Sequence, residues 1–276
     1  MKLSYVERIK YSALGRWATL PLRARAMLHA PPARWPVALH LLVQSREWTN
    51  FSYDYEPEGL AAVVGAISVL TGCKPATLRS YAEELRNDAV FAERYRQRVT
   101  QTRLRYICDP QLRFGRCLVN YLLVRASGAR VIFEAGTDRG LSTWAMARAL
   151  VHAGTSGAGA VIVTVDTAVD RGEFLEADEG GLVQRLVGDS VRALQSFDRP
   201  IELFLHDTVN DATHTREQLG TLRSRLAARA IVHSAWYGKE FVGFCEEAGL
   251  RAIEYVERPQ QHFYVGRRCG LATQGW

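Results

Sequence analysis

Four acidic side chains each follow an apolar run that has the composition of a buried strand. They are Glu134, Asp166, Asp189 and Asp207. Because the carboxyl ends of parallel strands meet at one edge of a sheet, we expect these four carboxylates to lie over one crevice. Carboxylates in such a row can accept hydrogen bonds from ribose hydroxyls or an exocyclic amine, and they attract a cation. The pattern predicts a ligand that contains a ribose and carries a positively charged end.

One of these acids has a second interpretation. Asp189 stands directly before Ser190 at the start of a predicted helix. Aspartate at that position commonly caps a helix by accepting a hydrogen bond from its first turn. Taken alone, Asp189 fits a helix cap as well as a ligand contact, and the case for a binding site depends on the four acids together.

The stretch Val131–Met146 reads as a buried strand, a glycine turn and the start of a helix. Val131–Phe133 is continuously apolar, as a parallel strand covered on both faces would be. Gly136 and Gly140 are predicted to let the backbone approach a ligand closely. Ser142 then opens an alanine-rich helix.

A dinucleotide site is the alternative for this turn. Its fingerprint, G-x-G-x-x-G, needs three glycines around the pyrophosphate. Here Asp138 occupies the place of the middle glycine, and its carboxylate would repel a phosphate. Glu134 also has the wrong charge for phosphates but the right one for a sulfonium or an amino group. The charge pattern therefore favours S-adenosylmethionine over a nicotinamide dinucleotide.

From residue 131 onward, strand and helix patterns alternate, which predicts a mostly parallel sheet with right-handed crossovers. The last two strands are too close for a crossover helix, so they should form an antiparallel hairpin. The predicted strands are Val131–Phe133, Val161–Val165, Arg185–Val187, Ile201–Leu205, Ala230–His233, Ala252–Val256 and Phe263–Val265. The predicted helices between them are Ser142–His152, Val191–Phe197, His214–Ala227 and Lys239–Ala248.

Residues 1–100 are predicted to form a helical arm and lid, and residues 101–276 the ligand-binding domain. Leu60–Leu70 is an apolar helix that Gly72 would end. Pro75 suits the first position of the next helix, and Asn87 or Asp88 can cap a third. None of these helices carries chemistry by itself.

The positive charge of the chain lies in its first 50 residues. The net charge is +6, and residues 1–50 contain eight basic and two acidic side chains, so the rest of the chain is neutral. A neutral body argues against a nucleic-acid partner, because it lacks a basic groove that follows phosphates. Residues 1–50 are either an anchor for a membrane surface or acidic partner, or a solvated arm that packs on the body or on the second subunit of a homodimer. We favour the arm, because arginine-rich faces are common on soluble helices.

The cysteines predict a cytoplasmic location. The chain has five cysteines without a CxxC pair, so neither a disulfide framework nor a zinc site is expected, and a reducing compartment fits best. No apolar run reaches the length that spans a bilayer.

The ordered set of motifs resembles the class I S-adenosylmethionine-dependent methyltransferases. It consists of the segment Glu134–Ser142, Asp166, the tripeptide Gly188-Asp189-Ser190 and the tripeptide His206-Asp207-Thr208. The similarity is greatest to a bacterial subgroup that acts on small molecules or sugars and has an upstream Gly-Arg and an aromatic helix, here Gly115-Arg116 and Tyr121.

The resemblance implies a fold and a set of site residues. The fold is α/β, with a doubly wound, mostly parallel, seven-stranded Rossmann-like sheet and an N-terminal α-helical appendage. Glu134 and Gly136 would border the methionine part of S-adenosylmethionine, Asp166 the ribose, and Asp189 with Ser190 the adenine. The implied cofactor-binding residues are Arg116, Tyr121, Glu134, Gly136, Thr137, Gly140, Ser142, Asp166, Gly188, Asp189, Ser190 and Asp207.

The chain departs from the related metal-dependent O-methyltransferases. Those enzymes use the acid after the fourth strand together with an Asp-Asp pair after the fifth, whereas here the fifth strand leads into Ser234-Ala235-Trp236. Hard cations need several oxygen ligands, and Asp207 with Asp211 would make a poor cage. We therefore predict no required metal.

A hydroxyl acceptor must lose a proton during methyl transfer, and a positioned base accelerates such a step. The candidates are His233, Asp207, His206 and His214. His233 and Asp207 rank first, because the ends of strands four and five flank the methyl group in the resembled fold. The alternative is structural: His206 would orient Asp207, His233 would cap a strand end and His214 would begin a helix.

These observations predict an S-adenosylmethionine-dependent methyltransferase that acts on an oxygen of a small molecule or sugar by in-line transfer. S-adenosylhomocysteine would be its product. Two alternatives stay open. One is a nicotinamide-dependent oxidoreductase. The other is an S-adenosylmethionine-binding scaffold without turnover, which the missing Asp-Asp pair keeps in consideration.

Overall fold

A computed structural model describes residues 17, 20–21, 53–102, 112–157, 159–175, 181–208, 211–260 and 267–274. The chain divides into two compact units. The first consists of Met1–Asp54, Asp88–Gly115 and Pro259–Val265, and the second of Tyr55–Asn87, Arg116–Arg258 and Gly266–Trp276. All the site residues predicted from the sequence belong to the second unit.

The second unit is built on a seven-stranded sheet, counted over the described residues. Its strands are β1 (Val131–Ala135), β2 (Val161–Asp166), β3 (Val183–Val187), β4 (Ile201–His206), β5 (Leu226–Ser234), β6 (Arg251–Val256) and β7 (Arg268–Thr273). They lie in the order β3-β2-β1-β4-β5-β7-β6. The first five are parallel, and β7 is antiparallel to both β5 and β6. The predicted doubly wound sheet with a terminal antiparallel hairpin is confirmed.

Eight helices are described in the two units. They are α1 (Pro57–Thr71), α2 (Pro75–Arg86), α3 (Ala89–Gln101), α4 (Gly115–Ser127), α5 (Leu141–His152), α6 (Ser190–Ser196), α7 (Ala212–Arg223) and α8 (Lys239–Ala248). The four helices predicted between strands correspond to α5, α6, α7 and α8, and their observed ends differ by at most a few residues.

The sheet forms because its central strands are apolar on both faces. Every residue of β1 is buried, and Phe133 stacks on Phe204 of β4 with ring centroids 5.9 Å apart. The helices α6, α7 and α8 cover this face with apolar side chains, among them Leu194, Leu219 and Phe241. The core therefore lies beneath the central strands, and the carboxyl ends of β1, β2 and β4 are held together at one edge.

The helices α1 and α2 belong to the same compact unit as the sheet. Helix α1 contacts β6 and β7, and its Val63 and Ile67 are fully buried or nearly so. As predicted, it ends at Gly72, which has a left-handed φ of 72°, and Pro75 begins α2. The division into a helical part up to residue 100 and a methyltransferase domain from residue 101 stays a prediction.

The helix α3 lies in the first unit. As predicted, the side chain of Asp88 caps it, accepting a hydrogen bond from the backbone N–H of Phe91 at 2.9 Å. Phe91 also stacks on Phe114 with ring centroids 6.2 Å apart.

Two predictions concern residues outside the described part. The predicted seventh strand, Phe263–Val265, falls there, and the seventh strand that is described lies at Arg268–Thr273. Most of residues 1–50 also fall outside, so the two interpretations of that segment stay predictions. Among the described residues no helix is long and apolar enough to cross a membrane.

Candidate functional site

A cavity of about 420 Å³ lies at the carboxyl edge of the sheet. It opens where β1, β2, β3 and β4 end, and its size is typical of small-molecule sites. Seven predicted site residues border it, namely Gly136, Asp166, Gly188, Asp189, Ser190, Asp207 and His214. The rest of its wall is formed by Asp138, Val165, Thr167, Ala168, Arg171 and Thr208. Three of the four strand-end acids therefore share one cavity.

Asp166 is held at the end of β2 by backbone amides. Its two carboxylate oxygens accept hydrogen bonds from the N–H groups of Asp138 and Ala168, each at 3.0 Å. Each carboxylate oxygen can accept a further bond. The side chain is thus fixed in direction and still able to accept hydrogen bonds from a ligand in the cavity.

The glycine turn is packed against protein rather than left open. A Cβ at Gly136 would lie 2.2 Å from the carbonyl oxygen of Asp207, and the residue has φ +103°. A Cβ at Gly140 would lie 2.5 Å from Cγ of Leu175, with φ +82°. The predicted need for glycine holds at both positions, but the atoms that approach are those of Asp207 and Leu175.

Asp138 takes an unusual conformation in the same turn. It is the non-glycine residue with a positive φ, 42°, found in the described part of the chain. Its carboxylate pairs with Nη1 of Arg171 at 2.9 Å, and both side chains border the cavity. The residue that interrupts the dinucleotide fingerprint therefore forms an ion pair at the cavity wall.

Asp189 performs the capping role and also borders the cavity. Its side chain accepts a hydrogen bond from the N–H of Arg192 at 2.9 Å. The hydroxyl of the next residue, Ser190, lies 3.2 Å from Nε2 of His214 and accepts a bond from Nε2 of Gln218. His214 therefore lies at the Asp189–Ser190 end of the cavity, and the two interpretations of Asp189 are compatible.

Arg116 lies behind Asp207. Its Nη1 is 2.7 Å from Oδ2 of Asp207, and its Nε and Nη2 donate to the two carboxylate oxygens of Glu257 at 3.2 and 3.4 Å. Arg116 and Glu257 are buried, whereas the side chain of Asp207 is 33% exposed. Arg116 is absent from the cavity wall and acts on it through Asp207.

Glu134 is buried behind the glycine turn, with 2% of its surface exposed. Its carboxylate accepts hydrogen bonds from the hydroxyls of Thr143 and Thr164. Burial raises the pKa of Glu134 to about 7, and the bonds from neighbouring hydroxyls partly oppose that rise. Any effect of Glu134 on a ligand in this cavity therefore acts across the intervening turn.

His233 is also buried, and both of its ring nitrogens have protein partners. Nδ1 lies 2.7 Å from Oδ1 of Asn120, and Nε2 lies 2.8 Å from the hydroxyl of Tyr255. Burial lowers the pKa of His233 to about 4, with a further contribution from the nearby Arg116 guanidinium. His233 does not border the cavity, so this geometry favours the structural interpretation over the predicted role as base.

The histidine next to Asp207 is likewise directed into the protein. Nδ1 of His206 lies 2.6 Å from Oε1 of Gln218, and burial lowers its pKa. Of the four predicted catalytic residues, Asp207 and His214 border the cavity, whereas His206 and His233 do not.

Three predicted cofactor-binding residues are engaged elsewhere. The hydroxyl of Tyr121 hydrogen-bonds to Glu84 at 2.8 Å and to His152 at 2.7 Å. The hydroxyl of Thr137 pairs with that of Thr164 at 2.7 Å. Ser142 accepts a hydrogen bond from Asn120. None of the three borders the cavity.

Sequence reasoning missed several residues that organise this region. They are Asn120, Arg171, Gln218, Tyr255 and Glu257. A signal was present for Asn120, since it stands four residues after Arg116 and so shares its face of α4. The others follow from contacts between residues far apart in sequence.

The described residues contain no group of three or more His, Cys, Asp or Glu side chains able to hold a metal ion. Metal independence stays a prediction.

The order of the strands and the cavity at their carboxyl edge define a class I methyltransferase fold. Residues 133–234 match the family model described as a methyltransferase domain. This match identifies that segment as a methyltransferase domain and is consistent with the predicted resemblance to the class I S-adenosylmethionine-dependent methyltransferases. No curated protein sequence matches the chain.

Several solved structures are similar in fold. An O-methyltransferase from Bacillus cereus in complex with SAH is 15% identical and has a TM-score of 0.51, with 72% of this chain and 96% of that protein covered. A methyltransferase from Geobacter sulfurreducens is 18% identical, with a TM-score of 0.48 and coverages of 72% and 96%. The O-methyltransferase TomG from Streptomyces achromogenes, in complex with SAM, is 19% identical, with a TM-score of 0.48 and coverages of 66% and 89%.

Proposed function

We propose that this chain is an S-adenosylmethionine-dependent O-methyltransferase that acts on a small molecule or sugar without a required metal. The observation that carries the proposal is the single cavity bordered by Asp166, Asp189 and Asp207. Three acidic side chains would oppose a pyrophosphate but suit a ribose, an exocyclic amine and a cation. The similar fold of a Bacillus cereus protein named as an O-methyltransferase in complex with SAH adds support.

Different residues of the cavity wall would contact different parts of the cofactor. Asp166, whose two oxygens are already oriented by backbone amides, would accept from the ribose hydroxyls. Asp189 and Ser190 would face the adenine. Gly136 and Asp207 would border the methionine part, where the turn and the end of β4 are in direct contact. Bound S-adenosylmethionine supplies an electrophilic methyl group on a sulfonium.

The acceptor would meet the cofactor beside Asp207. This carboxylate borders the cavity, and Arg116 holds it from behind at 2.7 Å. A carboxylate held in this way can orient an acceptor hydroxyl and receive its proton. The ring nitrogens of His214 face Ser190 at 3.2 Å and Asp189 at 4.0 Å, so Asp207 is the stronger candidate for activating the acceptor. Positioning of the two reactants would supply most of the rate enhancement.

Calorimetry with S-adenosylmethionine, S-adenosylhomocysteine and NADH side by side tests the cofactor. We expect the first two to bind and NADH not to bind. Binding of NADH alone would overturn the proposal in favour of an oxidoreductase.

A second experiment tests turnover and the metal. Methyl transfer from labelled S-adenosylmethionine is measured with small phenols, sugars and cell extracts as acceptors, before and after treatment with a chelator. We expect a labelled product in both conditions. Loss of product on chelation that Mg²⁺ restores would refute metal independence, and binding without any product would indicate the scaffold alternative.

A further inference from the structure

A row of buried polar side chains joins strand β6 to the start of helix α5. The hydroxyl of Tyr255 on β6 lies 2.8 Å from Nε2 of His233 on β5. Nδ1 of the same ring lies 2.7 Å from Oδ1 of Asn120 on α4. The amide nitrogen of Asn120 donates to the hydroxyl of Ser142 on α5. We call these four residues the hydrogen-bond chain.

The direction of each bond in the hydrogen-bond chain follows from elementary chemistry. The carbonyl oxygen of Asn120 can only accept, so Nδ1 of His233 must carry a proton. Burial lowers the pKa of His233 to about 4, so the ring is neutral at physiological pH and Nε2 holds a lone pair. The hydroxyl of Tyr255 therefore donates to Nε2. Each donated proton in the hydrogen-bond chain is therefore directed towards Ser142. The lone pair on Nε2 of His233 already accepts the hydrogen bond from Tyr255.

The hydrogen-bond chain leads to the buried carboxylate of Glu134. This carboxylate accepts hydrogen bonds from the hydroxyls of Thr143 and Thr164. These two hydroxyls and that of Ser142, the residue before Thr143, lower the pKa of Glu134. Since Ser142 accepts a bond from Asn120, its own proton is available for Glu134. Three donors from α5 and β2 thus converge on one buried carboxylate.

The charged and titratable surroundings of Glu134 oppose its ionisation. Burial is the main cause that raises the pKa of Glu134, and Asp207, at the end of the neighbouring β4, raises it further. The thiol of Cys117 on α4, with a pKa raised to about 12, is neutral. Burial acts in the same direction as Asp207, and the pKa of Glu134 reaches about 7. The hydroxyl donors are therefore what favours the ionised form in this environment.

We propose that Tyr255, His233 and Asn120 are positioning residues that act through Ser142 to keep Glu134 ionised beneath the glycine turn. The same bonds hold the first turn of α5 in place. His233 then serves the reaction by orienting Asn120, and it touches neither cofactor nor acceptor.

An ionised Glu134 would make the protein bind S-adenosylmethionine in preference to S-adenosylhomocysteine. This inference rests on the proposed function. Glu134 stands two residues before Gly136, which borders the cavity. An ionised carboxylate there attracts the cationic sulfonium of S-adenosylmethionine and not the neutral thioether of S-adenosylhomocysteine. The hydrogen-bond chain thereby favours binding of the methyl donor and release of the product at neutral and higher pH.

The test is calorimetry of both ligands between about pH 6 and about pH 8.5. In the unmodified protein, the ratio of the dissociation constant of S-adenosylhomocysteine to that of S-adenosylmethionine should rise about tenfold with pH, as expected for one screened charge pair. Asn120→Asp cannot donate to Ser142 and adds a negative charge, so the midpoint of this rise should move up by about one pH unit. Glu134→Gln should make the ratio independent of pH.

A milder variant and a control complete the experiment. Ser142→Ala removes one donor to Glu134 and should shift the midpoint in the same direction, which keeps the proposal testable if Asn120→Asp fails to fold. Asn87→Asp makes the same substitution at an exposed helix end and should leave the midpoint unchanged. A folded Asn120→Asp or Ser142→Ala protein with an unshifted midpoint overturns the inference but leaves the proposed function intact. Failure of the unmodified protein to bind either ligand refutes the proposed function itself.

Discussion

Nη1 of Arg116 lies 2.7 Å from Oδ2 of Asp207, so a buried cation stands directly behind a carboxylate on the cavity wall. The same guanidinium reaches both oxygens of Glu257, whose side chain is fully buried. One arginine therefore links the candidate site to the core. This arrangement makes Arg116 important for stability as well as for the orientation of Asp207.

Replacing Arg116 by Met should lower the free energy of unfolding by about 3–5 kcal/mol, because it removes the cation from a buried carboxylate. Urea unfolding measures this loss. The control is Arg86→Met, whose partner Glu83 is 60% exposed, and which should change stability by about 1 kcal/mol or less. Similar small losses in both variants would contradict the assigned role of Arg116.

Asp166→Asn should weaken binding of S-adenosylhomocysteine by about 10- to 100-fold, because charged hydrogen bonds to the ribose are lost. Calorimetry measures the effect, and the fold should persist. Asp198→Asn replaces an exposed acid after α6 and should bind normally. Unchanged affinity in Asp166→Asn would rule out the ribose assignment.

Gly136→Ala should disrupt the glycine turn, since its Cβ would lie 2.2 Å from the carbonyl oxygen of Asp207 at a φ of +103°. We expect a loss of at least about 2 kcal/mol in stability together with loss of cofactor binding. Thermal unfolding and calorimetry provide the two readouts.

The control for that substitution is Gly65→Ala in α1, where a Cβ meets nothing within 4 Å. It should stabilise the helix by up to about 1 kcal/mol. A Gly136→Ala protein that is as stable as the unmodified one would show that the contact with Asp207 is dispensable.

The dependence of stability on pH should reveal two opposing buried groups. The pKa of Glu134 is raised from 4.5 to about 7, so its contribution to stability is present below pH 4.5 and is lost as pH rises through 7. The pKa of His233 is lowered from 6.5 to about 4, so its contribution is present above pH 6.5 and is lost as pH falls through 4. Between about pH 4.5 and about pH 6.5, the pH dependences of these two contributions have opposite signs and largely cancel.

Glu134→Gln removes the pH-dependent contribution of Glu134 and leaves that of His233. Its free energy of unfolding should then rise with pH between about pH 4.5 and about pH 6.5, with a slope of up to about 1.4 kcal/mol per pH unit. Urea unfolding at several pH values measures the slope. A slope equal to that of the unmodified protein would show that Glu134 does not titrate in this range.

The strand and helix patterns were sufficient to predict the fold of the second unit. Short runs rich in β-branched residues, such as Val161–Val165, favour buried strands between helices. Gly72 marked the end of α1, and Pro75 marked the start of α2. The strand at Arg268–Thr273 was not predicted. The predicted position, Phe263–Val265, lies outside the described residues, while Arg268–Thr273 begins with a charged residue and contains a glycine, which weakens its strand signal.

The candidate site was predictable where a side chain and its function follow from local position. Asp166, Asp189 and Asp207 each end a strand, so parallel topology alone brings them to one cavity. The histidines were not predictable in this way. Their orientation depends on partners contributed by other elements, as Gln218 binds His206 and Asn120 binds His233.

The amino-acid sequence by itself determined the class of fold, the edge of the sheet where the candidate site lies and the acids that border its cavity, because these follow from local periodicity and chain order. Only the tertiary structure decided that Glu134 and His233 are buried outside the cavity wall, and that Arg116 stands behind Asp207. Burial and hydrogen-bond partners decide the direction and the pKa of such side chains, and both arise from contacts between residues far apart in sequence.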